Sequence, residues 1–358
     1  MTFKSTFRTT LLFLIFFILV FAGCDKTNDN GDEIVDDTNA LPGNQVNAIY
    51  ITDDGVKYFA TNNGLAAFDG QEWMVFHENP KVEKGMINDM DFELTSYGPE
   101  LWLATQEGVN VLSLPVDATS GATRYHTGNV NDLFPGDAVL KGDSVFVVKV
   151  DGNNFRWFGT QEGIAVFMGD TWPTLMFGNN YGTDFFKNNR VTSIDHSNDT
   201  VYIGTMGGGV ARMVDATADA ISGASPYEHP WSSLPSMNIL AVFTDGSDQW
   251  YGSDDGIAKH TGTKAKDNWK LYFESDGLIS NKVNCINKDN DGNMWFGSPD
   301  GLSSFDGTTF TNYTIADGLV SNTILSIAVD LDGTLWFGTD NGVSHFDGSG
   351  FTNYQYQE

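Results

Sequence analysis

Short apolar runs separated by polar turns recur along most of this chain. Residues 332–348 contain two such runs, both rich in aromatic and β-branched residues. Asp-Gly pairs bound this segment at both ends, and Asn341-Gly342 divides it. Aromatic and β-branched residues favour strands, whereas Asn-Gly and Asp-Gly favour tight hairpin turns. The pattern therefore predicts β-hairpins, and it carries no helical period.

The same unit occurs seven times. An aromatic residue opens the central run of each copy, and consecutive opening aromatics lie 41 to 55 residues apart. They are Tyr58, Trp102, Trp157, Tyr202, Trp250, Trp295 and Trp336. Each is followed by an apolar residue, then Gly or Ala, then Thr or Ser, and then a polar turn ending in Gly. Four short strands per unit, at a period of about 40–50 residues, are typical of propeller blades. We expect an all-β fold, a single seven-bladed β-propeller of four-stranded antiparallel blades over residues 41–358.

The best-preserved copies are residues 276–306 and 317–347. Both run through Gly-Leu, Ser-Asn, an apolar stretch, Asp-x-x-Gly, a Trp-Phe-Gly motif and Phe-Asp. This order resembles the two-component regulator propeller repeat, and a looser resemblance covers residues 41–358. It implies a propeller of the kind found in periplasmic sensor regions, often those of hybrid histidine kinases that respond to glycans. Because the sequence shows no kinase, receiver or helix-turn-helix segment, the resemblance implies the fold more directly than a signalling role.

Residues 1–23 have the pattern of a targeting segment. Lys4 and Arg8 precede an apolar core at 11–22 that is too short to span a bilayer. The following Gly23-Cys24 resembles a bacterial lipoprotein cleavage box, which implies lipidation of Cys24. An ordinary secretory signal with an unrelated cysteine is the alternative. Residues 24–40 are rich in Asp, Asn and Thr and predict a flexible acidic tether. We therefore expect an extracytoplasmic protein, lipid-anchored to a bacterial membrane, at the outer membrane or cell surface.

The net charge of the protein limits the kinds of partner that we expect it to bind. The formal net charge is −28, which disfavours nucleic acid and anionic membrane surfaces. The expected partners are a glycan or a protein ligand, with membrane contact only through the lipid anchor, and a separate signalling protein is a further candidate. No cofactor and no metal is predicted, although acidic turns leave a calcium ion as an alternative. Residues 289–293 superficially resemble a calcium loop, but a hairpin turn explains them better. The remaining cysteine, Cys285, reads as a small buried apolar residue.

Six of the seven polar turns carry an amide or a carboxylate. Strand alternation places these turns on one face of the ring, where they could bind sugar hydroxyls or a cation. Tight turns also demand such residues for conformational reasons, so turn chemistry is the alternative explanation. The candidate ligand-binding residues are Asn63, Glu107, Glu162, Asp254, Asp300 and Asp340.

A longer connection, residues 178–190, is expected on the same face. It offers Tyr181, Phe185 and Phe186 for stacking on a sugar ring. Lys187 and Arg190 could pair with a carboxylate or sulfate. The alternative is that these aromatic side chains fold over the edge of their own blade.

Signatures of catalysis are weak. The sequence has no serine-nucleophile or phosphate-loop motif, and its six histidines are scattered. We expect a non-catalytic binding or sensor protein. An extracellular lyase or hydrolase on a propeller scaffold, acting on polysaccharides or resembling streptogramin lyases, is the alternative, and a pure protein–protein scaffold is a third. A histidine, a carboxylate and an arginine converging in one pocket would favour the enzyme.

Overall fold

The computed structural model describes residues 41–76, 85–95, 98–114, 122–125, 144–161, 163–168, 190–213, 233–262 and 268–356. These residues form seven separate antiparallel sheets in sequence order. Five sheets have four strands, and the third and fourth have three within the described residues. The predicted all-β, seven-bladed propeller is therefore confirmed.

Each sheet is one blade, and its strands follow one another from the inner edge to the outer edge. The first blade contains β1 (Val46–Ile51), β2 (Lys57–Thr61), β3 (Gly64–Phe68) and β4 (Trp73–Val75). The second contains β5 (Ile87–Thr95), β6 (Gly98–Thr105), β7 (Gly108–Ser113) and β8 (Ala122–Tyr125). The third contains β9 (Val145–Val150), β10 (Phe155–Thr160) and β11 (Gly163–Met168). The fourth contains β12 (Val191–Ser197), β13 (Thr200–Thr205) and β14 (Gly209–Met213).

The last three blades each have four strands. The fifth contains β15 (Ile239–Asp245), β16 (Asp248–Ser253), β17 (Ile257–Thr261) and β18 (Trp269–Tyr272). The sixth contains β19 (Cys285–Lys288), β20 (Met294–Gly297), β21 (Leu302–Phe305) and β22 (Phe310–Tyr313). The seventh contains β23 (Ile324–Val329), β24 (Leu335–Thr339), β25 (Gly342–Phe346) and β26 (Phe351–Tyr354). Short 3-10 turns at Glu274–Asp276 and Ile315–Asp317 precede the sixth and seventh blades.

The inner strands enclose the axis of the ring. Each contacts the inner strand of the next blade, and β23 of the seventh blade contacts β1 of the first. Side-chain packing closes the ring without strand exchange, since β1 pairs with β2 and β26 pairs with β25 in their own sheets. The first and last repeats therefore each supply their own strands.

Two consecutive residues in the second strand of each blade join it to both neighbours. Successive side chains of a strand point to opposite faces, so the opening aromatic packs on the next blade and the following residue on the previous one. In the seventh blade, Trp336 meets Phe59 of the first, with ring centroids 5.7 Å apart. Phe337 meets Trp295 of the sixth, also at 5.7 Å. The pairs at the other junctions are Tyr58 with Leu103, Trp102 with Phe158, Trp157 with Ile203, Tyr202 with Tyr251, and Trp250 with Phe296.

In the third to seventh blades a glycine follows this pair and is required by packing, whereas the first two blades have Ala60 and Ala104 there. A Cβ on Gly338 would lie 2.6 Å from the carbonyl oxygen of Val46 in the neighbouring inner strand. A Cβ on Gly297 would lie 2.6 Å from a methyl carbon of Ile324. Real Cβ atoms do not approach other atoms so closely. The glycine therefore lets the next inner strand lie directly against the second strand.

A buried aspartate fixes the opening tryptophan in three blades. In the sixth, Trp295 Nε1 donates to Asp289 Oδ2 at 2.8 Å, and the backbone N–H of Asn293 donates to Asp289 Oδ1 at 2.8 Å. The equivalent pairs are Trp157 with Asp151 at 2.9 Å and Trp336 with Asp330 at 3.1 Å. The segment compared with a calcium loop is thus the hairpin turn between β19 and β20, as predicted.

Candidate functional site

Seven turns, each joining the second and third strands of a blade, lie on one side of the ring, which we call the turn face. Each turn begins at a Thr or Ser whose hydroxyl donates to the carbonyl of the Gly that closes it, at 2.8 to 3.1 Å. The donors are Thr61, Thr105, Thr160, Thr205, Ser253, Ser298 and Thr339. The hydroxyls are buried, and most of the described side chains between them and the glycines are exposed. A ligand on this face would therefore meet exposed side chains on a fixed backbone.

The structure describes five of the six predicted turn residues. All five are exposed and belong to five different blades: Asn63, Glu107, Asp254, Asp300 and Asp340. Glu162 lies outside the described residues. The arrangement distributes polar groups around the face, one to a turn, instead of concentrating them in a single blade.

Three of these carboxylates are oriented by the connection that precedes their blade. The pairs are Asn238 with Asp254, Ser280 with Asp300, and Ser321 with Asp340, at 2.5 to 2.7 Å. Burial would raise the pKa of Asp254, but hydrogen bonds from Ser236 and Asn238 outweigh it and lower that pKa. Asp254 is therefore a charged acceptor at neutral pH, held in one orientation.

The connection that supplies Ser321 is itself tied to the seventh blade. The Ser344 hydroxyl accepts from the Val320 N–H at 2.9 Å and donates to Asn353 Oδ1 at 2.7 Å. Asn353 Nδ2 then donates to the Gly318 carbonyl at 2.9 Å. The sixth blade repeats this relay with Ile279, Ser303, Asn312 and Gly277. The relay was not predicted, although the identical sequence Phe-Thr-Asn-Tyr at 310–313 and 351–354 indicates that these two blades share an outer-strand feature.

Near the turn face, six inner strands carry a bulge at their second residue. The bulge residues are Asn47, Asn88, Phe146, Thr192, Leu240 and Leu325. Polar bulge residues bond to the next blade, as Asn47 Nδ2 does to the Ile87 carbonyl at 2.8 Å. Asn88 and Thr192 bond in the same way to Val145 and Ile239. Phe146 has no polar side-chain atom to do this, so the junction between the third and fourth blades is built differently.

At that junction the structure describes one residue of the predicted 178–190 loop. Arg190 comes directly before β12, is exposed, and places Cζ 3.7 Å from the centroid of the Phe146 ring. Burial of part of the guanidinium lowers the pKa of Arg190. The other predicted residues, Tyr181, Phe185, Phe186 and Lys187, lie outside the described residues, and so does Cys24.

Deeper along the axis, a group of charged side chains joins three inner strands. Lys149 Nζ of β9 lies 3.8 Å from Asp91 of β5 and 3.7 Å from Asp195 of β12. Asp89 Oδ2, also on β5, accepts the Val148 N–H at 3.0 Å. Burial raises the pKa of Asp89 to about 7. This group was not predicted from the sequence, because its residues are far apart along the chain and only the ring brings them together.

The other candidate chemistry in the described residues serves packing. His260 Nδ1 lies 2.7 Å from Gln249 Oε1, and the His345 ring packs on Trp336 with centroids 4.4 Å apart. Burial raises the pKa of the Cys285 thiol to about 12. Among described residues, no group of three or more His, Cys, Asp or Glu is placed to hold a metal ion. Nor does that part of the chain contain a helix long and apolar enough to cross a bilayer.

Known proteins resemble this chain at the level of the fold. PorZ, a surface component of the type-IX secretion system of Porphyromonas gingivalis, matches 87% of this chain and 46% of its own with TM-score 0.64 and 16% identity. Streptogramin B lyase matches 88% of this chain and 96% of its own, with TM-score 0.55 and 15% identity. The extracellular domain of BT3049, a proposed hybrid two component system of B. thetaiotaomicron, aligns over 88% of this chain and 52% of its own, at 18% identity and TM-score 0.41. This chain thus spans about half the length of PorZ and of the BT3049 domain. No curated protein sequence matches the chain significantly.

A family model described as two component regulator propeller matches residues 277–300 and 318–341. Each match begins in the connection that enters a blade and ends in the turn after its second strand. The two segments therefore contain the oriented pairs Ser280 with Asp300 and Ser321 with Asp340. This chain is a seven-bladed β-propeller, and its sixth and seventh repeats match the family described as two component regulator propeller.

Proposed function

We propose that this protein is a non-catalytic, extracytoplasmic binding or sensing lipoprotein that captures a carbohydrate or a protein partner on its turn face. The observation that carries this proposal is the set of exposed carboxylates at Asp254, Asp300 and Asp340, each oriented by a neighbouring connection. Pre-oriented acceptors lose little freedom on binding, and sugar hydroxyls or peptide N–H groups are their natural donors.

The rigidity of this face supports binding further. The carbonyl of each glycine that closes a turn of this face accepts a buried hydroxyl. Two of the connections are fixed by the serine–asparagine relay. We further propose that Tyr181, Phe185 and Phe186 add stacking surface and that Lys187 and Arg190 add positive charge to the same face. Aromatic stacking on sugar rings and charged pairing with anionic groups would then complement the carboxylates.

The test is glycan-array binding by the mature chain carrying Cys24→Ser, which removes the acylation site. The combined Asp254→Asn, Asp300→Asn and Asp340→Asn variant keeps an acceptor oxygen but loses charge, so we expect weaker capture of any bound glycan. A Tyr181→Ala, Phe185→Ala and Phe186→Ala variant should abolish capture while the ring stays folded. Asp291→Asn, on an exposed hairpin of the opposite face, is the matched control and should bind normally. Unchanged binding in both triple variants would remove the turn face from consideration.

We also propose that Cys24 carries the lipid anchor and that a separate signalling protein receives the binding signal. Two or more acyl chains on one residue would give stable membrane attachment. Metabolic labelling with an alkyne fatty acid should mark the wild-type chain and not Cys24→Ser, and only the wild type should fractionate with membranes. Equal labelling of the two chains would show that the anchor is elsewhere.

A further inference from the structure

We propose that Arg190, Met206 and Asp254 form a subsite for an acidic sugar unit, whose carboxylate or sulfate binds the Arg190 guanidinium. This inference deepens the proposed function and rests on it, because it assigns a ligand class to one part of the turn face. All three residues are described by the structure and are exposed.

A continuous line of contacts joins the three residues. The Arg190 carbonyl accepts from the Met206 N–H at 2.9 Å. Met206 forms an isolated β-bridge with Asn238, and Asn238 Nδ2 donates to Asp254 Oδ2 at 2.7 Å. These contacts place the three residues on adjacent connections and turns of the fourth and fifth blades. The Arg190 guanidinium itself lies on the Phe146 ring of the third blade.

The charge of Arg190 lacks a counter-ion among the described residues. Five other cations in the described part of the chain form ion pairs: Lys57, Lys149, Arg156, Lys259 and Lys288. Burial against Phe146 lowers the pKa of Arg190, and no carboxylate contributes an opposing shift. A partly desolvated guanidinium without an anion is unfavourable, and an anionic ligand would relieve that cost.

Phe146 holds the guanidinium in place for such a ligand. The cation lies over the ring, 3.7 Å from its centroid, so one side of the group is covered while the side chain remains exposed. A guanidinium has five N–H donors in a fixed fork that matches a carboxylate or sulfate. Polar residues at bulges of other inner strands, such as Asn47 and Asn88, bond to the next blade's backbone. The Arg190 guanidinium has no hydrogen-bond or ion-pair partner among the residues that the structure describes.

The neighbouring residues favour a sugar acid over an extended polyanion. Asp254 and the other acidic turns would repel a dense run of negative charges, in a protein with a net charge of −28. A single acidic sugar unit offers hydroxyl donors for Asp254 and an apolar ring face for Met206, which is 38% exposed. Its one anionic group would pair with the Arg190 guanidinium.

The experiment measures binding of the mature Cys24→Ser chain to two sets of oligosaccharides by calorimetry. One set ends in glucuronic or galacturonic acid, or carries one sulfate, and the other is the same set after carboxyl reduction or desulfation. The acidic probes should bind more tightly than their neutral counterparts, and higher salt should weaken only the acidic ones. Arg190→Gln should weaken the acidic probes about tenfold or more, the loss expected for one charge-assisted contact, and leave neutral probes unchanged.

Two further variants keep the test decisive. Lys270→Gln removes an exposed cation from outer strand β18 and should change binding less than twofold. Arg190→Lys keeps the charge but loses the planar set of guanidinium donors, so its affinity for the acidic probes should fall between those of wild type and Arg190→Gln. It also replaces Arg190→Gln in the test if that variant does not fold. Equal binding by wild type and Arg190→Gln would overturn the subsite while leaving the proposed function intact. If the chain binds no glycan, both the subsite and carbohydrate capture by the turn face are overturned. If Arg190 contributes only to the binding of an acidic peptide, the assignment of a sugar ligand is overturned.

Discussion

Trp336 in the last blade packs against Phe59 in the first, edge to face, with ring centroids 5.7 Å apart. Both belong to one buried cluster that also contains Val46 and Val343. The contact repeats the Trp295–Phe337 relationship at the preceding junction, so the closing junction is built like an ordinary one. The ring is closed by the same side-chain pair that joins the blades elsewhere.

Removing that contact should open the ring. Trp336→Ala deletes a buried aromatic group at the closing junction and should lower the free energy of unfolding by about 3–5 kcal/mol. Urea unfolding measures this change. Tyr356→Ala, at the same junction, is the control because its ring is 40% exposed and only its backbone N–H bonds to Asn44. Similar losses in the two variants would contradict closure through Trp336.

The buried Asp289 of the sixth blade should contribute more to the free energy of unfolding than the exposed Asp291 of the same turn. Asp289→Ala leaves the Trp295 Nε1–H and the Asn293 N–H without their acceptor, and a lost buried partner costs about 1–3 kcal/mol. Asp291→Ala, in the same turn, changes an exposed residue and should stay within about 0.5 kcal/mol of wild type. Thermal unfolding of both variants makes the comparison. If Asp289→Ala were as stable as Asp291→Ala, the hydrogen bonds to Asp289 would not stabilise the blade.

The packing glycine of the sixth blade should not tolerate a methyl group. Gly297→Ala would place Cβ 2.6 Å from a methyl carbon of Ile324 and force the blades apart. Overpacking of this kind costs about 1–3 kcal/mol. Gly350→Ala is the matched control, because its Cβ would meet open space. Chemical denaturation should show a lower free energy of unfolding for Gly297→Ala than for Gly350→Ala. If Gly297→Ala were as stable as wild type, the inner strand would be able to shift.

Asp89 should make stability depend on pH. Burial raises its folded pKa to about 7 from an ordinary value of 3.8, so folding favours the protonated form. Its contribution is therefore complete below pH 3.8 and is lost as pH rises through about 7. Around it, Asp91 disfavours the charged form of Asp89, whereas Lys149 and the backbone N–H groups of Val148 and Met90 favour it.

Asp89→Asn removes this titration while keeping an oxygen for the Val148 N–H. The melting temperature of the variant relative to wild type should rise between pH 4 and pH 8, where wild-type Asp89 becomes charged. Asp53→Asn, on the exposed β1–β2 hairpin, is measured in parallel as the control for loss of a carboxylate. A constant difference for Asp89→Asn over that range would show that Asp89 titrates normally in the folded ring.

The amino-acid pattern alone predicts the number of blades, most strand positions and the residues of the turn face. This is possible because each blade repeats one local pattern. The opening aromatic residue, the apolar residue after it, the following small residue and the turn all lie within a few consecutive positions. The turn residues Asp254, Asp300 and Asp340 were predictable for the same reason, since each occupies the same place in its repeat.

Which distant residues meet depends on the tertiary structure. The Asp91, Lys149 and Asp195 group, the Phe146 contact of Arg190 and the line from Arg190 to Asp254 each join different blades. A repeat pattern records how one blade is built, but the partner of a side chain on its face is set by the neighbouring blade. Those contacts arise from ring closure, which stacks separate sheets edge by edge, and no spacing along the chain encodes them.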